Sequence, residues 1–112
     1  MRILSILTFD NEQLRPPSEE DIERMGGFVA ELKARGALID TGGVMPGMLE
    51  LTYRRKNGKD TVTDGPFTES KEVVGGYALL EVRDRDEAIA LTREFLDYVG
   101  DATCTIHEVS SA

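Results

Sequence analysis

The chain has 112 residues, a formal net charge of −8 and one cysteine, which suits a single domain spanning residues 1–112. Its acidity disfavours nucleic acid as a partner because phosphates would repel it, and a lone cysteine excludes an internal disulfide. No segment approaches the ~20 apolar residues of a membrane span, and the apolar start Met1–Phe9 has no cleavage-site pattern after it. We therefore expect a soluble, cytoplasmic protein without membrane or nucleic-acid partners.

The first part of the chain is typical of a buried strand, a helix and a short second strand. Ile3–Phe9 is apolar on both faces, as in a strand covered on both sides. Ser18 is a candidate helix N-cap with Asp21 in capping-box position. Apolar residues then recur at helical spacing: Ile22, Met25, Phe28, Val29 and Leu32. Ala37–Asp40 is predicted to be a short strand that ends at Thr41-Gly42-Gly43.

A β-hairpin is predicted next. Met48–Arg54 alternates apolar and polar residues, which indicates a half-buried strand. Asn57-Gly58 is the strongest hairpin signal in the chain, and Lys59–Thr63 is the return strand. Basic residues cluster at the tip, and the acidity of the whole chain favours a solvated tip over an anion or nucleic-acid patch. They are Arg54, Arg55, Lys56 and Lys59.

The second part repeats the strand-helix-strand order. Tyr77–Val82 lacks a consistently polar face, Asp84 is a candidate N-cap, and Thr103–Val109 alternates as a final strand. Two β-α-β units predict an α+β, ferredoxin-like split βαβ sheet with an extra β-hairpin. In that arrangement Ile3–Phe9 and Tyr77–Val82 occupy the middle of the sheet.

The far face of such a sheet needs a cover. Two helices can cover only one face, whereas the two central strands offer apolar side chains to both. If water covered the second face, its exposed apolar area would exceed that of the largest apolar patch on a typical monomer. A second copy is the simplest cover, so the sequence predicts a two-fold homodimer.

The stretch Asp64–Tyr77, DGPFTESKEVVGGY, is the strongest candidate for a functional site. A glycine that can take positive φ and a proline of fixed φ place an aromatic ring beside clustered charges, as a small-molecule site requires. The same features also suit an ordered loop that closes one end of the sheet. The predicted catalytic residues are Asp64 and Lys71, and the predicted ligand-binding residues are Gly65, Pro66, Phe67, Glu69 and Tyr77.

The chemistry available at this stretch is acid–base chemistry. If Asp64 is part-buried beside Phe67, its pKa would rise and it could accept or donate a proton, while Lys71 could neutralise an anion. Alternatively, Asp64 only caps the turn, and Lys71 is an exposed cation. One histidine, His107, and one cysteine, Cys104, give no metal-ligand spacing, so neither a metal nor another cofactor is expected.

The same residues resemble a known family. Asp64-Gly65-Pro66-Phe67, the following Thr68–Glu72 and Gly75-Gly76-Tyr77 closely resemble the signature of the YCII-related superfamily in its DGPF branch, and Leu79–Val82 with Asp84–Ala88 continue the match. The resemblance implies a ferredoxin-like domain that pairs into a dimeric α/β barrel, without a settled activity. Some relatives carry a histidine-aspartate pair in the N-terminal half, whereas Met1–Asp60 contains no histidine.

Two functions follow as hypotheses. The first is a domain that binds or processes a small molecule in a cleft near the signature loop and the dimer interface, with metal-free acid–base chemistry. Phe67, Tyr77, Phe9 and Tyr53 are candidate walls of that cleft. The second is a non-catalytic regulatory or protein-interaction module. The resemblance adds context here, because DGPF-type genes are often found beside or fused to extracytoplasmic-function sigma factors.

Overall fold

The computed structural model describes residues 1–10, 18–44, 48–65 and 72–110. Their elements, in chain order, are β1 (Arg2–Asp10), α1 (Glu19–Ala34), β2 (Leu38–Gly43), β3 (Leu51–Lys56), β4 (Lys59–Asp64), β5 (Glu72–Glu81), α2 (Arg85–Val99) and β6 (Thr103–Glu108). Within these ranges the order of elements agrees with the two strand-helix-strand units and the hairpin that the sequence predicts. No helix in the described ranges is long and apolar enough to cross a membrane.

The main sheet has four strands in the order β2-β5-β1-β6. All three neighbouring pairs are antiparallel. The two strands predicted to be the most buried, β1 and β5, occupy the middle. This order confirms the ferredoxin-like α+β prediction.

Two strands extend further than predicted. β5 begins at Glu72 instead of Tyr77 and passes through a β-bulge, because Leu7 pairs with Gly76 while Thr8 pairs with Val74. β2 continues through Gly43, so the prediction that Thr41-Gly42-Gly43 ends this strand is wrong. Pairing with the central strand overrides the weak strand propensity of the glycines.

A single buried cluster joins both helices to one face of the sheet. Phe28 and Leu32 of α1 and Ala88 and Leu91 of α2 pack with sheet residues that include Ile3. Ile22 shares the helical stripe of Met25 and Val29 but is 58% exposed, so the predicted stripe packs on the core only from Met25 onward.

The helix caps agree with the sequence. The Asp21 amide donates to Ser18 Oγ at 3.1 Å and the Ser18 amide donates to Asp21 Oδ2 at 3.3 Å, which completes the capping box. At α2 the Glu87 amide donates to Asp84 Oδ1 at 2.9 Å. Both helices therefore begin where their capping residues predict.

The hairpin forms a separate two-stranded sheet, which we call the arm, residues 51–64. Asn57 and Gly58 both have positive φ, 52° and 75°, as the tight turn predicted from this pair requires. All the arm's residues are exposed, so the half-buried strand predicted at its start is wrong for the single chain. The alternating pattern is present, but no described part of the chain packs on it.

Register assigns each sheet residue to one of two faces, since directly opposed residues point the same way. Ile3 pairs with Leu80 on the face that the helices cover. We call the opposite side the open face. It carries Arg2, Leu4, Ile6 and Thr8 of β1, Tyr77, Leu79 and Glu81 of β5, Asp40 and Gly42 of β2, and Thr103, Thr105 and His107 of β6.

Candidate functional site

The middle of the open face is apolar. Leu4 pairs with Leu79 and Ile6 pairs with Tyr77 across the two central strands. The three aliphatic side chains are only partly buried, and Tyr77 is 39% exposed. These four residues form an apolar floor that is accessible from outside the chain. Surfaces of this kind bind ligands or other protein surfaces.

A tyrosine-aspartate pair lies at the β2 edge of this floor. The Tyr77 hydroxyl donates a hydrogen bond to Asp40 Oδ2 at 2.9 Å. The Thr41 hydroxyl donates to the Tyr77 carbonyl oxygen at 2.9 Å, which ties the two strands together at the same point. The floor therefore has a fixed polar group at one side, as a ligand-orienting site requires.

Glycine at position 42 makes room for the tyrosine ring. A Cβ on Gly42 would lie 2.7 Å from Tyr77 Cε1 and 3.2 Å from its Cζ. Any larger residue would push the ring away from its position over β2. The strand's glycine thus allows the ring to lie flat, with its hydroxyl directed at Asp40.

The neighbouring carboxylate changes the acidity of the tyrosine. The hydrogen bond from Tyr77 to Asp40, with the negative charge of that carboxylate, raises the pKa of the phenol above its ordinary value. Tyr77 therefore stays protonated at neutral pH and acts as a hydrogen-bond donor. Its proton occupies one Asp40 oxygen, and the carboxylate retains lone pairs that can accept from a ligand.

The β6 edge of the floor carries a second set of polar groups. His107 pairs with Leu4 and Thr105 pairs with Ile6, and both are exposed. Four strands at a spacing of about 4.8 Å separate the two edges by about 14 Å. A small molecule on the floor could thus contact either edge, whereas His107 and Asp40 are too far apart to act as a catalytic pair.

The residues predicted from the signature stretch fall into three groups. Tyr77 lies on the open face as described. Asp64 ends β4 at the base of the arm, opposite Leu51, and is exposed. Gly65 has a φ of 77°, as expected, and its amide donates to the Glu50 carbonyl at 2.9 Å. The remaining predicted residues lie outside the described ranges: Pro66, Phe67, Glu69 and Lys71.

Asp64 does not join the tyrosine-aspartate pair. Among the described residues its carboxylate has no hydrogen bond or ion pair, and Tyr77 bonds to Asp40 instead. Of the other predicted walls, Tyr53 lies on the arm, where its hydroxyl bonds to Asp60. Phe9 follows the alternation of Ile3 and therefore belongs to the helix side, away from the open face.

Sequence reasoning missed Asp40 and Gly42. The sequence pattern places Asp40 at the end of a short strand, and no local pattern marks its pairing with Tyr77, which lies 37 residues away. One signal was available: an aspartate and a glycine alternating on one face of a strand beside an apolar central strand. Locating it would have required the register of β2 against β5.

The candidate site has no metal-binding group of residues. Within the described ranges, no three His, Cys, Asp or Glu side chains lie close enough together to hold a metal ion. Cys104 pairs with Leu7 on the helix side, where burial raises the pKa of its thiol, against a smaller lowering by a hydrogen bond to Ser5. A thiol in that state suits a packing residue more than a nucleophile.

Comparison with known proteins gives a family and no activity. A family model described as YCII-related domain matches residues 1–106. An uncharacterised protein of Rhizobium meliloti (strain 1021) is 27% identical over 97 residues, covering 82% of this chain and 78% of the relative. The crystal structure of CutA1 from Pyrococcus horikoshii aligns over 100% of this chain and 86% of its own with 15% identity and a TM-score of 0.35.

Proposed function

The chain belongs to the YCII-related domain family, and we propose that it is a cytoplasmic homodimer that binds a small molecule at the open face. The observation that carries this proposal is the hydrogen-bonded pair Tyr77–Asp40 at the edge of an accessible apolar floor. An apolar surface with few fixed polar groups is the usual composition of a ligand site.

The pair also defines the class of ligand. Tyr77 is held protonated and directed at Asp40, so the free lone pairs of the carboxylate favour a ligand that donates a hydrogen bond. The floor of Leu4, Ile6 and Leu79 favours an apolar body beside that donor. We therefore propose a compact, partly apolar molecule with a hydroxyl or amino group facing Asp40.

The homodimer part of the proposal follows from the uncovered floor. Both helices pack on the opposite side of the sheet, so the described part of one chain leaves the floor open. Two open faces brought together by a two-fold axis would cover each other and enclose a space between them. A stable interface of this kind buries about 800 Å² on each partner, which a four-stranded sheet face can supply.

Native mass spectrometry of freshly purified protein tests both parts together. We expect twice the chain mass, with a retained small molecule on part of the population. Asp40→Asn should lower the retained fraction about tenfold, the usual worth of one or two ligand hydrogen bonds. Tyr77→Phe should lower it by less, because it removes only the hydrogen bond that orients Asp40. Both variants should remain dimeric, because they keep the volume and shape of the side chain.

Matched control residues lie on α2. Tyr98→Phe and Asp97→Asn make the same chemical changes on α2, away from the open face. They should leave the retained fraction unchanged. A single chain mass at micromolar concentration would refute the homodimer, and equal losses in the site and control variants would refute the assigned site.

If the domain is an enzyme that uses acid–base chemistry, Asp64 and Lys71 would be its catalytic residues. Asp64 is exposed at the base of the arm in one chain, and the arm forms a sheet of its own. If Asp64 is a catalytic residue, Asp64→Asn should abolish turnover of the retained molecule while leaving its binding in place. Mass analysis of that molecule after incubation with each protein measures this, and unchanged turnover would remove Asp64 from the mechanism.

The second candidate function is a non-catalytic regulatory or protein-interaction module, including one that acts with an extracytoplasmic-function sigma factor. The exposure of Asp64 without a described polar partner favours it. The first turn of α1, with Glu19, Glu20 and Asp21, offers an acidic outer surface for a basic partner. A dimer that retains no small molecule in the native experiment would favour this alternative.

A further inference from the structure

The arm has two chemically different faces. Cross-strand register places Leu51, Tyr53 and Val62 on one face together with Arg55, Asp60 and Asp64. We call this side the apolar face of the arm because it holds all of the arm's apolar side chains. These side chains are 46%, 59% and 57% exposed. The other face, the basic face of the arm, carries Arg54, Lys56 and Lys59 among threonines. The arm therefore presents its exposed apolar side chains on one side only, as a patch that another protein surface can cover.

The arm is also built to keep its shape. Arg55 Nε donates to Asp60 Oδ1 at 2.6 Å and Arg55 Nη2 donates to Oδ2 at 2.8 Å. Tyr53 donates to the same carboxylate. Arg55, and then Tyr53, lower the pKa of Asp60, so this carboxylate stays charged across the neutral range. The network fixes the Tyr53 ring at the edge of the apolar face and orders the tip of the arm.

We propose that the apolar face of the arm packs on the open face of a second copy, so that the partner's Tyr53 closes the site over Ile6 and Tyr77. This inference rests on the proposed homodimer and deepens it. A homodimer formed by two flat sheet faces alone would leave both arms in water. In the proposed assembly each copy supplies part of the other's ligand site.

Charge complementarity supports a second copy as the occupant. Four basic and two acidic residues give the arm a formal charge of +2, while the rest of the chain carries −10. The net positive charge of the arm favours its approach to the acidic body of another copy, while the apolar side chains make the contact. Its basic face would remain outward, where it stays hydrated and protects the exposed strands from further pairing.

The dimensions of the arm also fit. Six residues per strand at about 3.4 Å each give a length of about 20 Å. The four-stranded sheet is about 14 Å across between its outer strands. One arm is thus long enough to reach Ile6 and Tyr77 of a partner while the two open faces meet over the rest of the sheet, and two-fold symmetry makes the exchange reciprocal.

Photo-crosslinking tests the contact directly. Tyr53→p-benzoylphenylalanine keeps an aromatic ring on the apolar face, and Thr61→p-benzoylphenylalanine places the same group on the basic face as a matched control. After irradiation, the first variant should give a covalent dimer on a denaturing gel, at least fivefold more than the control. Peptide mapping should place the link on segments that contain Ile6, Tyr77 or Leu79.

The outcomes separate this inference from the proposed function. A native dimer whose Tyr53 variant links only within its own chain, links to the helices, or links no better than the Thr61 control would overturn the arm contact while the homodimer stands. A single chain mass in the native experiment would overturn both. A covalent dimer mapped to the open face supports the exchange.

A second pair of variants measures the contribution of the arm. Leu51→Thr with Val62→Thr removes apolar surface while keeping strand propensity and adding no charge. Thr52→Ser with Thr63→Ser changes the same strands on the opposite face. The first pair should raise the dissociation constant of the dimer at least tenfold, as loss of central apolar contacts does. Equal constants for both pairs would overturn the proposal.

Discussion

Phe28→Ala is expected to lower the free energy of unfolding by about 3–5 kcal/mol, the usual cost of removing a buried aromatic side chain. Phe28 is 4% exposed and belongs to the single buried cluster of the chain's described residues. Its ring centroid lies 5.0 Å from that of Tyr98 and 6.4 Å from that of Phe95. Removing the ring opens a cavity between both helices and loses two aromatic contacts.

Urea unfolding followed by circular dichroism measures this loss, at a fixed protein concentration because a dimer links stability to concentration. Ile22→Ala is the matched control on the same helix, since Ile22 is 58% exposed and its truncation should change the unfolding free energy by no more than about 0.5 kcal/mol. Similar losses for both variants would mean that Phe28 does not join the helices as described.

The parts of the fold that the sequence predicted are those with a local physical cause. Ser18 and Asp84 mark the helix starts because a capping side chain acts within three residues. The turn at Asn57-Gly58 follows from positive φ at two neighbouring positions. The middle places of β1 and β5 follow from strands that are apolar on both faces.

The parts that the sequence did not predict depend on which strand pairs with which, and in what register. Asp40 belongs to the candidate site only because β2 continues past it and pairs with β5. The arm's alternation predicts its two faces correctly, but a local pattern does not show whether either face is covered. In the described part of the chain both faces are exposed.

In the signature stretch Asp64–Tyr77, residues that are close in sequence lie in different parts of the fold. Its glycine and tyrosine lie in positions with clear roles, Gly65 at positive φ and Tyr77 on the open face. Closeness in sequence alone groups Asp64 with Phe67 and Lys71, and the structure places Asp64 on the arm at the end of β4. Neighbours in sequence share a site only when backbone direction keeps them on one side of a strand or turn.

Gly76→Ala is expected to destabilise the fold by about 1–3 kcal/mol, because the added methyl group has no room. A Cβ at this position would lie 2.7 Å from the Gly42 carbonyl oxygen and 3.5 Å from Gly43 Cα. Both are backbone atoms of the paired strand, so neither can move aside as a side-chain tip could. The strain would separate β2 from β5 at the place where Tyr77 meets Asp40.

A second glycine provides the control, because Gly26→Ala adds the same methyl group where nothing lies within 4 Å of it. Gly26 lies inside α1, where alanine is favoured over glycine by about 0.5–1 kcal/mol. Thermal unfolding should therefore occur roughly 5–15 °C lower for Gly76→Ala and a few degrees higher for Gly26→Ala. Equal melting temperatures would show that β2 and β5 are not in the close register that positions Asp40 beside Tyr77, and the candidate site would have to be placed elsewhere.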